Sequence, residues 1–398
     1  MKFTAFEQEM LEAVHGRAAQ KAMQILKGLG TIYGAEKMIS ISSAQISGVS
    51  YDNLGEAGLK FLEEMASGGG RVKVLTTLNP AGMDFENWRI LGIDDEFACN
   101  QHRVRQAYLK MGAVATCTCT PYLSGNLPHF GEHIAWAESS AVCFANSVIG
   151  AQTNREGGPG ALAAAITGVT PAYGLHLKEN RQPGITFEIV TGINGTQSFG
   201  ALGKVIGEKI EALQTSRIPM ILGIQQATLE ELKSLCASIA TYGGVGLFHI
   251  EGITPESHKY SQPEIKIRIS EKDLNASILQ LSDKNDPVDF VTLGCPHLSL
   301  LEIQRIAELL DGNKVTKEFW ITTSRPIKRI ADDMGYSQII EASGAKFAVD
   351  TCCVVSPIQN RFQCMATDSA KACYYAYAKN HFKTRFLPFD QVVEEAMK

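Results

Sequence analysis

FVTLGCPHLSLLEIQRIAELL, residues 290–310, runs from an apolar β-rich stretch through a Gly-Cys-Pro turn into an amphipathic segment, and its reading decides the fold. Ser299 stands three residues before Glu302, the spacing of a capping box, so the helix is expected to begin there. EFWITTS (318–324) then reads as a second strand, Pro326 opens another helix, and AKFAVDTC (345–352) returns as a third strand. Strands alternating with helices are the rhythm of a parallel α/β sheet, which presents ligands beyond the carboxyl ends of its strands. Cys295 and Cys352 stand at two such ends, and upstream Asn79 ends the strand-like VKVLTTLNP (72–80). Two thiols and a turn are therefore expected at a shared edge.

Working outward, Thr4 and Glu7 form another capping box, and Phe6, Met10, Leu11, Val14, Ala18, Ala22 and Ile25 follow at roughly helical spacing. One amphipathic opening helix is expected. KMISIS (37–42) reads as a strand, the stretch around Leu54 to Met65 as a helix, and Gly68–Gly70 as a loop. The segments ENRQPG (179–184) and GINGTQSFG (192–200) are the best linker candidates.

The chain has 398 residues, 45% of them hydrophobic, enough for two or three compact cores. A net charge of -5 gives no basic surplus to meet a phosphate backbone, so a nucleic-acid partner is not expected. No apolar run is long enough to span a bilayer, and MKFTAFEQEMLEAVHG lacks the apolar core of a signal peptide, so a cytoplasmic protein without membrane contact is expected. Ten cysteines in that compartment point to burial, metal binding or catalysis rather than disulfides. None forms Cys-x-x-Cys, so any metal must be held by cysteines distant in sequence.

Glycine-rich stretches do not support a nucleotide. Gly195 and Gly200 have P-loop spacing, but Ala201 and Leu202 stand where Lys and Ser or Thr are needed. TNREGGPGALAAAITG (153–168) places Arg155 and two glycines before an Ala-rich helix, a pattern that suits an anion or, equally, a tight packing turn. His129, Glu132, His133, Glu138, His249 and Glu251 are more often hydrogen-bonded structural residues than ligands; His133 and Glu138 are retained as supports of a site.

SAQISGVSYDNLG, TLNPAG, CTCTPYLSGNLPHFGEHIAWAESSAV, ANSVIGAQTNREGGP, YGLHL, HIEGITPE, GCPHLS, VDTC and DSAKACYY, in that order, resemble the large subunit of the aconitase X family over nearly the whole chain. TNREGGP and GCPHLS bring the resemblance closer to the archaeal-type branch that dehydrates phosphomevalonate than to the branch acting on cis-3-hydroxy-L-proline.

The resemblance implies an aconitase-like α/β fold, multi-domain, with mostly parallel sheets flanked by helices. Residues 1–190 plus 345–398 are expected to form the cluster and substrate region, and 191–344 a second α/β domain contributing Cys295. It implies a [4Fe–4S] cluster held by Cys119, Cys295 and Cys352, with one iron left open as a Lewis acid; Cys117 and Cys353 are the nearest competitors. It implies substrate contacts at Gly48, Val49, Ser50, Asn79, Pro80, Ser139, Ser140 and Lys371. The reaction expected is loss of water from (R)-5-phosphomevalonate, a phosphorylated 3-hydroxy acid, giving trans-anhydromevalonate 5-phosphate. The catalytic base is expected from a separate small subunit, the swivel domain, in an obligate heteromer. Readings held against this are a cis-3-hydroxy-L-proline dehydratase subunit and a non-catalytic metal-binding scaffold.

Overall fold

Phe290–Leu293 is buried at all four positions, as a strand covered on both faces must be, and it forms the middle of a five-stranded sheet. The computed structural model describes residues 1–213, 218–283 and 286–398. The sheet order is Lys346–Val349, Glu318–Thr323, Phe290–Leu293, Cys364–Thr367, Lys383–Phe386, and every pair is parallel. The chain builds outward from Phe290–Leu293 on one side and then crosses to the other. The strand order thus reverses between Phe290–Leu293 and Cys364–Thr367, and the crevice at such a reversal is where open α/β sheets bind ligands. Ser299 and Glu302 close the expected capping box, and Pro326 lies in the first turn of Arg325–Asp333.

A three-stranded parallel sheet has Ser43–Ile46 between Leu75–Leu78 and Ala135–Trp136. Its order also reverses, between Ser43–Ile46 and Ala135–Trp136. A four-stranded parallel sheet runs His249–Ile250, Ile218–Leu222, Pro183–Ile189, Lys266–Ile269. Met38–Ser40 pairs antiparallel with Val169–Pro171. Each parallel sheet has its own apolar core, one including Leu78 and Ala135, one Phe187 and Phe248, and one Leu293 and Ile321.

Three expectations need correction. The opening helix is two, Ala5–Leu11 and Arg17–Ile32: the apolar spacing continues across the break, but Ala13 (φ 65°) and Gly16 (φ 89°) take left-handed conformations that stop the first helix. GINGTQSFG is not a linker but the turn into the helix Gly195–Ala212. Residues 345–398 do not group with 1–190, because Lys346–Val349, Cys364–Thr367 and Lys383–Phe386 are hydrogen-bonded into the sheet of Phe290–Leu293. Cys295 and Cys352 consequently belong to one sheet.

Candidate active site

The carboxyl ends of the three-stranded and five-stranded sheets face a common region, and the expected site residues sit on the turns that leave those strands. From the first sheet, Ser43–Ile46 leads to Gly48–Ser50, Leu75–Leu78 to Asn79 and Pro80, and Ala135–Trp136 to Glu138, Ser139 and Ser140. From the second, Phe290–Leu293 leads to Cys295, Lys346–Val349 to Cys352, and Cys364–Thr367 to Lys371. Cross-sheet bonds lock the two sets together. Ala81 N–H donates to the Asp350 carbonyl at 2.8 Å, and the Ser50 hydroxyl donates to the Val355 carbonyl at 3.0 Å.

Glu138 lies at the centre. Its carboxylate accepts from Lys371 Nζ at 2.5 Å, Asn79 Nδ2 at 2.7 Å, Ser140 Oγ at 3.1 Å, and Ser139 Oγ and the Ser140 N–H at 3.5 Å each. Burial alone would raise its pKa, but the Lys371 ammonium and these donors hold it down to about 2. Lys371 is correspondingly held above its ordinary value: burial opposes the charge and Glu138 more than restores it. A carboxylate cannot donate, so it fixes the Asn79 amide with its nitrogen inward, and Asn79 Oδ1 is left buried without a partner among the described residues. The N–H groups of Gly48, Val49 and Ser50 meet no protein acceptor among the described residues. Val49 and Pro80 are buried, and the Val49 carbonyl accepts from Gln101 Nε2 at 3.0 Å.

Lys371 and Tyr375 lie four apart in the helix Ala370–Tyr375, hence on one face. Burial raises the Tyr375 pKa, and the charges it senses are Lys371, Glu138, Cys295 and Arg155. Arg155, exposed, is thereby brought to the rim. The helices Ser139–Phe144 and Ala370–Tyr375 each run on into a π-helical turn, at Ala145–Ile149 and Ala376–Asn380.

Cys119, Cys295 and Cys352 are brought together beside this wall. Burial pushes the Cys119 thiol well above its ordinary value, with Glu138, Cys352 and Cys295 adding to the rise against Lys371. Cys295 is pushed up to about 12 by burial, with Cys352 nearby, and Cys352 is raised by burial. Three thiols, Cys119 and Cys352 buried and Cys295 partly buried, whose charges repel are stable as thiolates only when a cation shares them. The Cys119 sulfur already accepts a hydrogen bond from the His297 N–H at 3.2 Å, while the nearby Val354 and Val355 N–H groups and the Ser369 hydroxyl partly offset the effect of burial on Cys352 and Cys295 respectively. This soft, all-sulfur, hydrogen-bonded donor set fits an iron–sulfur centre. Among the described residues no three Cys, His, Asp or Glu groups are placed to hold a single ion. In a cluster each iron takes its own thiolate, which spaces the ligands more widely than one ion does.

The competing thiols have different surroundings. Cys117, in a left-handed conformation (φ 42°), is packed in the first core and senses Asp350, Arg105 and Arg325. Cys353 packs among Phe290, Trp320 and Met365, with Cys352 and Cys295 as neighbours. His133 is not part of the wall: its Nδ1 meets His176 Nδ1 at 3.2 Å. His129 and Glu132 pair with each other at the surface, and His249 Nε2 meets the Arg181 carbonyl at 2.9 Å.

Two supports escaped sequence reasoning. His297, fully buried, bonds Thr118 Oγ1 through Nδ1 and the Thr351 carbonyl through Nε2, at 3.0 Å each, so one imidazole joins the segments carrying all three thiols. The carbonyl requires Nε2–H, and burial lowers the pKa to about 4, so the ring is neutral. Its place in GCPHLS was the available signal. Arg325 spans Asp350 and Asp84, at 2.5 and 3.1 Å, and Asp84 accepts from the Val349 N–H at 3.1 Å, bracing the strand that ends at Cys352.

Profiles described as aconitase X first, second and third domain match residues 1–179, 183–278 and 288–398. The phosphomevalonate dehydratase large subunit of Methanocaldococcus jannaschii is 47% identical, covering 94% of this chain and 95% of that protein. The protein of the same name from Methanothermobacter thermautotrophicus is 46% identical, covering 93% and 92%. The crystal structure of Thermococcus kodakaraensis aconitase X in its holo-form superposes with a TM-score of 0.92 at 42% identity, over 100% of both chains. The chain belongs to the aconitase X family.

Proposed function

We propose that this chain is the large subunit of a hydro-lyase that converts (R)-5-phosphomevalonate to trans-anhydromevalonate 5-phosphate and water. The observation that carries the reading is the convergence of three thiols, two of them buried, with a wall of oxyanion donors where two parallel sheets present their carboxyl ends. Relatives of that name at 46 and 47% identity over nearly the whole chain support the substrate.

Cys119, Cys295 and Cys352 would hold a [4Fe–4S] cluster whose fourth iron, free of protein thiolate, supplies Lewis acidity toward a hydroxyl and a carboxylate oxygen. The residues of the chain do the rest. Lys371 contributes a compact cation, and Ser139, Ser140 and the free N–H groups of Gly48–Ser50 donate to substrate oxygens. Asn79 offers its unpartnered Oδ1 to a hydroxyl proton. His297 and Arg325 fix the thiol-bearing segments without touching substrate. Dehydration removes the C3 hydroxyl and a C2 proton, and we assign the proton's acceptor to a small partner subunit that closes over the wall. In that assembly the site lies at the interface between subunits.

Anaerobic co-expression with the small subunit, followed by assay of both substrates, tests the reading. Turnover of phosphomevalonate and none of cis-3-hydroxy-L-proline is expected; preference for the proline substrate, or turnover by the large chain alone, would overturn it. Cys119→Ser should lose bound iron and its visible absorption, whereas Cys117→Ser keeps both. The reverse result would move the ligand to Cys117.

A further inference from the structure

The wall assigned to substrate is already occupied, by a side chain. Lys371 Nζ, Asn79 Nδ2, the Ser139 and Ser140 hydroxyls and the Ser140 N–H all donate to the one carboxylate of Glu138. An N-terminal cap needs one such bond, and Ser, Thr, Asp or Asn would make it with a shorter side chain. Five donors from three separate segments, one of them 233 residues away along the chain, exceed what capping a six-residue helix requires.

Charge sharpens the point. Glu138 and Lys371 neutralise each other, so an anionic substrate entering beside them would find no net attraction and a second carboxylate crowding the first. Exchange resolves this. If the incoming oxyanion takes the donors while Glu138 withdraws, Lys371 is never left buried and unpaired, the state that costs most. Glu138 is placed to withdraw: its side chain keeps 12% of its surface exposed, and the backbone there is extended rather than helical.

We infer that Glu138 is a resident stand-in for the substrate's carboxylate, holding Lys371, Asn79, Ser139 and Ser140 in place and surrendering them when the substrate binds. The identity of the oxyanion follows from Asn79. Glu138 uses only the amide's nitrogen, and the buried Oδ1 beside it faces no donor among the described residues. A ligand that satisfies both halves of that amide carries an oxyanion and, close by, a hydroxyl. That is the hydroxy-acid end of the proposed substrate, and the phosphate end, a dianion with no hydroxyl proton once its second pKa of about 6 is passed, falls elsewhere. The inference rests on the proposed function for the substrate's name, but a hydroxy carboxylate is what the donors and the orphan acceptor require.

The test is equilibrium binding by calorimetry to the assembled, metal-loaded two-chain enzyme at pH 8, wild type against Glu138→Gln, with mevalonate and methyl phosphate as separate probes. Glu138→Gln removes the competitor, so mevalonate should bind about tenfold tighter or more, with phosphate unchanged. Equal or weaker mevalonate binding overturns the inference. Tighter phosphate with unchanged mevalonate also overturns it, assigning the subsite to the other end of the substrate. Should Glu138→Gln fail to assemble, Glu138→Asp draws the carboxylate back by one methylene and keeps its charge. Mevalonate should then raise the Tm of the Asp variant by more than that of wild type, and an equal or smaller rise overturns the proposal. The readout is binding of a plain hydroxy acid, so failure to dehydrate phosphomevalonate would refute the proposed function and leave this result standing.

Discussion

Glu138, largely buried, and Glu156, buried, are glutamates of the same N-terminal region, eighteen residues apart, and their pKa values are shifted in opposite directions. Burial opposes ionisation in each. Glu138 meets an ammonium and four neutral donors and is held down to about 2. Glu156 meets one hydroxyl, Thr170 Oγ1 at 3.4 Å, and burial pushes it up to about 7. The carboxylate with more partners than its fold requires stands among the expected substrate contacts; the one with fewer meets, among the described residues, only the strand Val169–Pro171. The partner set, rather than depth, separates a functional buried acid from a tolerated one.

The comparison predicts where each residue's effect is felt. Lys371→Met in the assembled enzyme should lower kcat/KM by about 10³-fold, the scale of losing a preorganised charge that faces the reacting groups. Glu156→Gln should leave kcat/KM within about twofold, since a carboxyl that is half protonated at neutral pH cannot be holding a substrate charge. Equal losses in the two variants would break the distinction. Steady-state kinetics of both, on the same preparation of small subunit, decide it.

Much of this was legible in the sequence. The period of residues 290–352 and the boxes at Thr4 and Ser299 gave the strands and helix starts, because those signals are local. Strand ends then located Cys295, Cys352 and Asn79. What failed depended on distant partners or on single dihedrals. The break at Ala13 and Gly16 interrupts a helix without interrupting its apolar spacing. The sheet membership of 345–398 is set by pairing with strands that precede it, which no linker-like composition records. Cys117 and Cys119 differ by which way one left-handed residue turns its thiol, and the family resemblance, not the spacing, favoured Cys119. Glu138 reads as a support from the sequence; its cation, Lys371, is invisible there because it lies in another sheet's turn.

The two glutamates also divide the pH dependence of stability. For Glu138 the folded pKa lies below the unfolded one, so its contribution is present above about 4.5 and is lost as pH falls toward 2. For Glu156 the folded pKa lies above, so the folded state binds the extra proton. Its contribution is present below about 4.5 and is lost as pH rises toward 7. The Tm of Glu156→Gln minus that of wild type should therefore climb between pH 4.5 and 8, by an amount equivalent to on the order of 3 kcal/mol at most. A constant offset due to the new amide does not affect that slope. A flat difference would show that Glu156 is ionised at neutral pH by partners other than Thr170.

The smallest effect isolates the single donor. Thr170→Val keeps the shape of the buried side chain in the strand Val169–Pro171 but deletes the hydroxyl that favours the ionised form of Glu156. The loss should be about 0.5–1.5 kcal/mol at pH 8, the worth of one hydrogen bond, and smaller at pH 4.5, where Glu156 is already neutral and has no charge to support. The upper edge of its window should move above 7 as well. The same deletion at the other glutamate, Ser140→Ala, leaves Lys371 and Asn79 in place, so the pKa of Glu138 should remain well below its ordinary value. Loss of one donor is thus felt in the titration of Glu156 and absorbed at Glu138. Thermal unfolding of both variants across pH 3 to 8 measures that asymmetry, and a larger change in the acid limb of Ser140→Ala than in the neutral limb of Thr170→Val would contradict it.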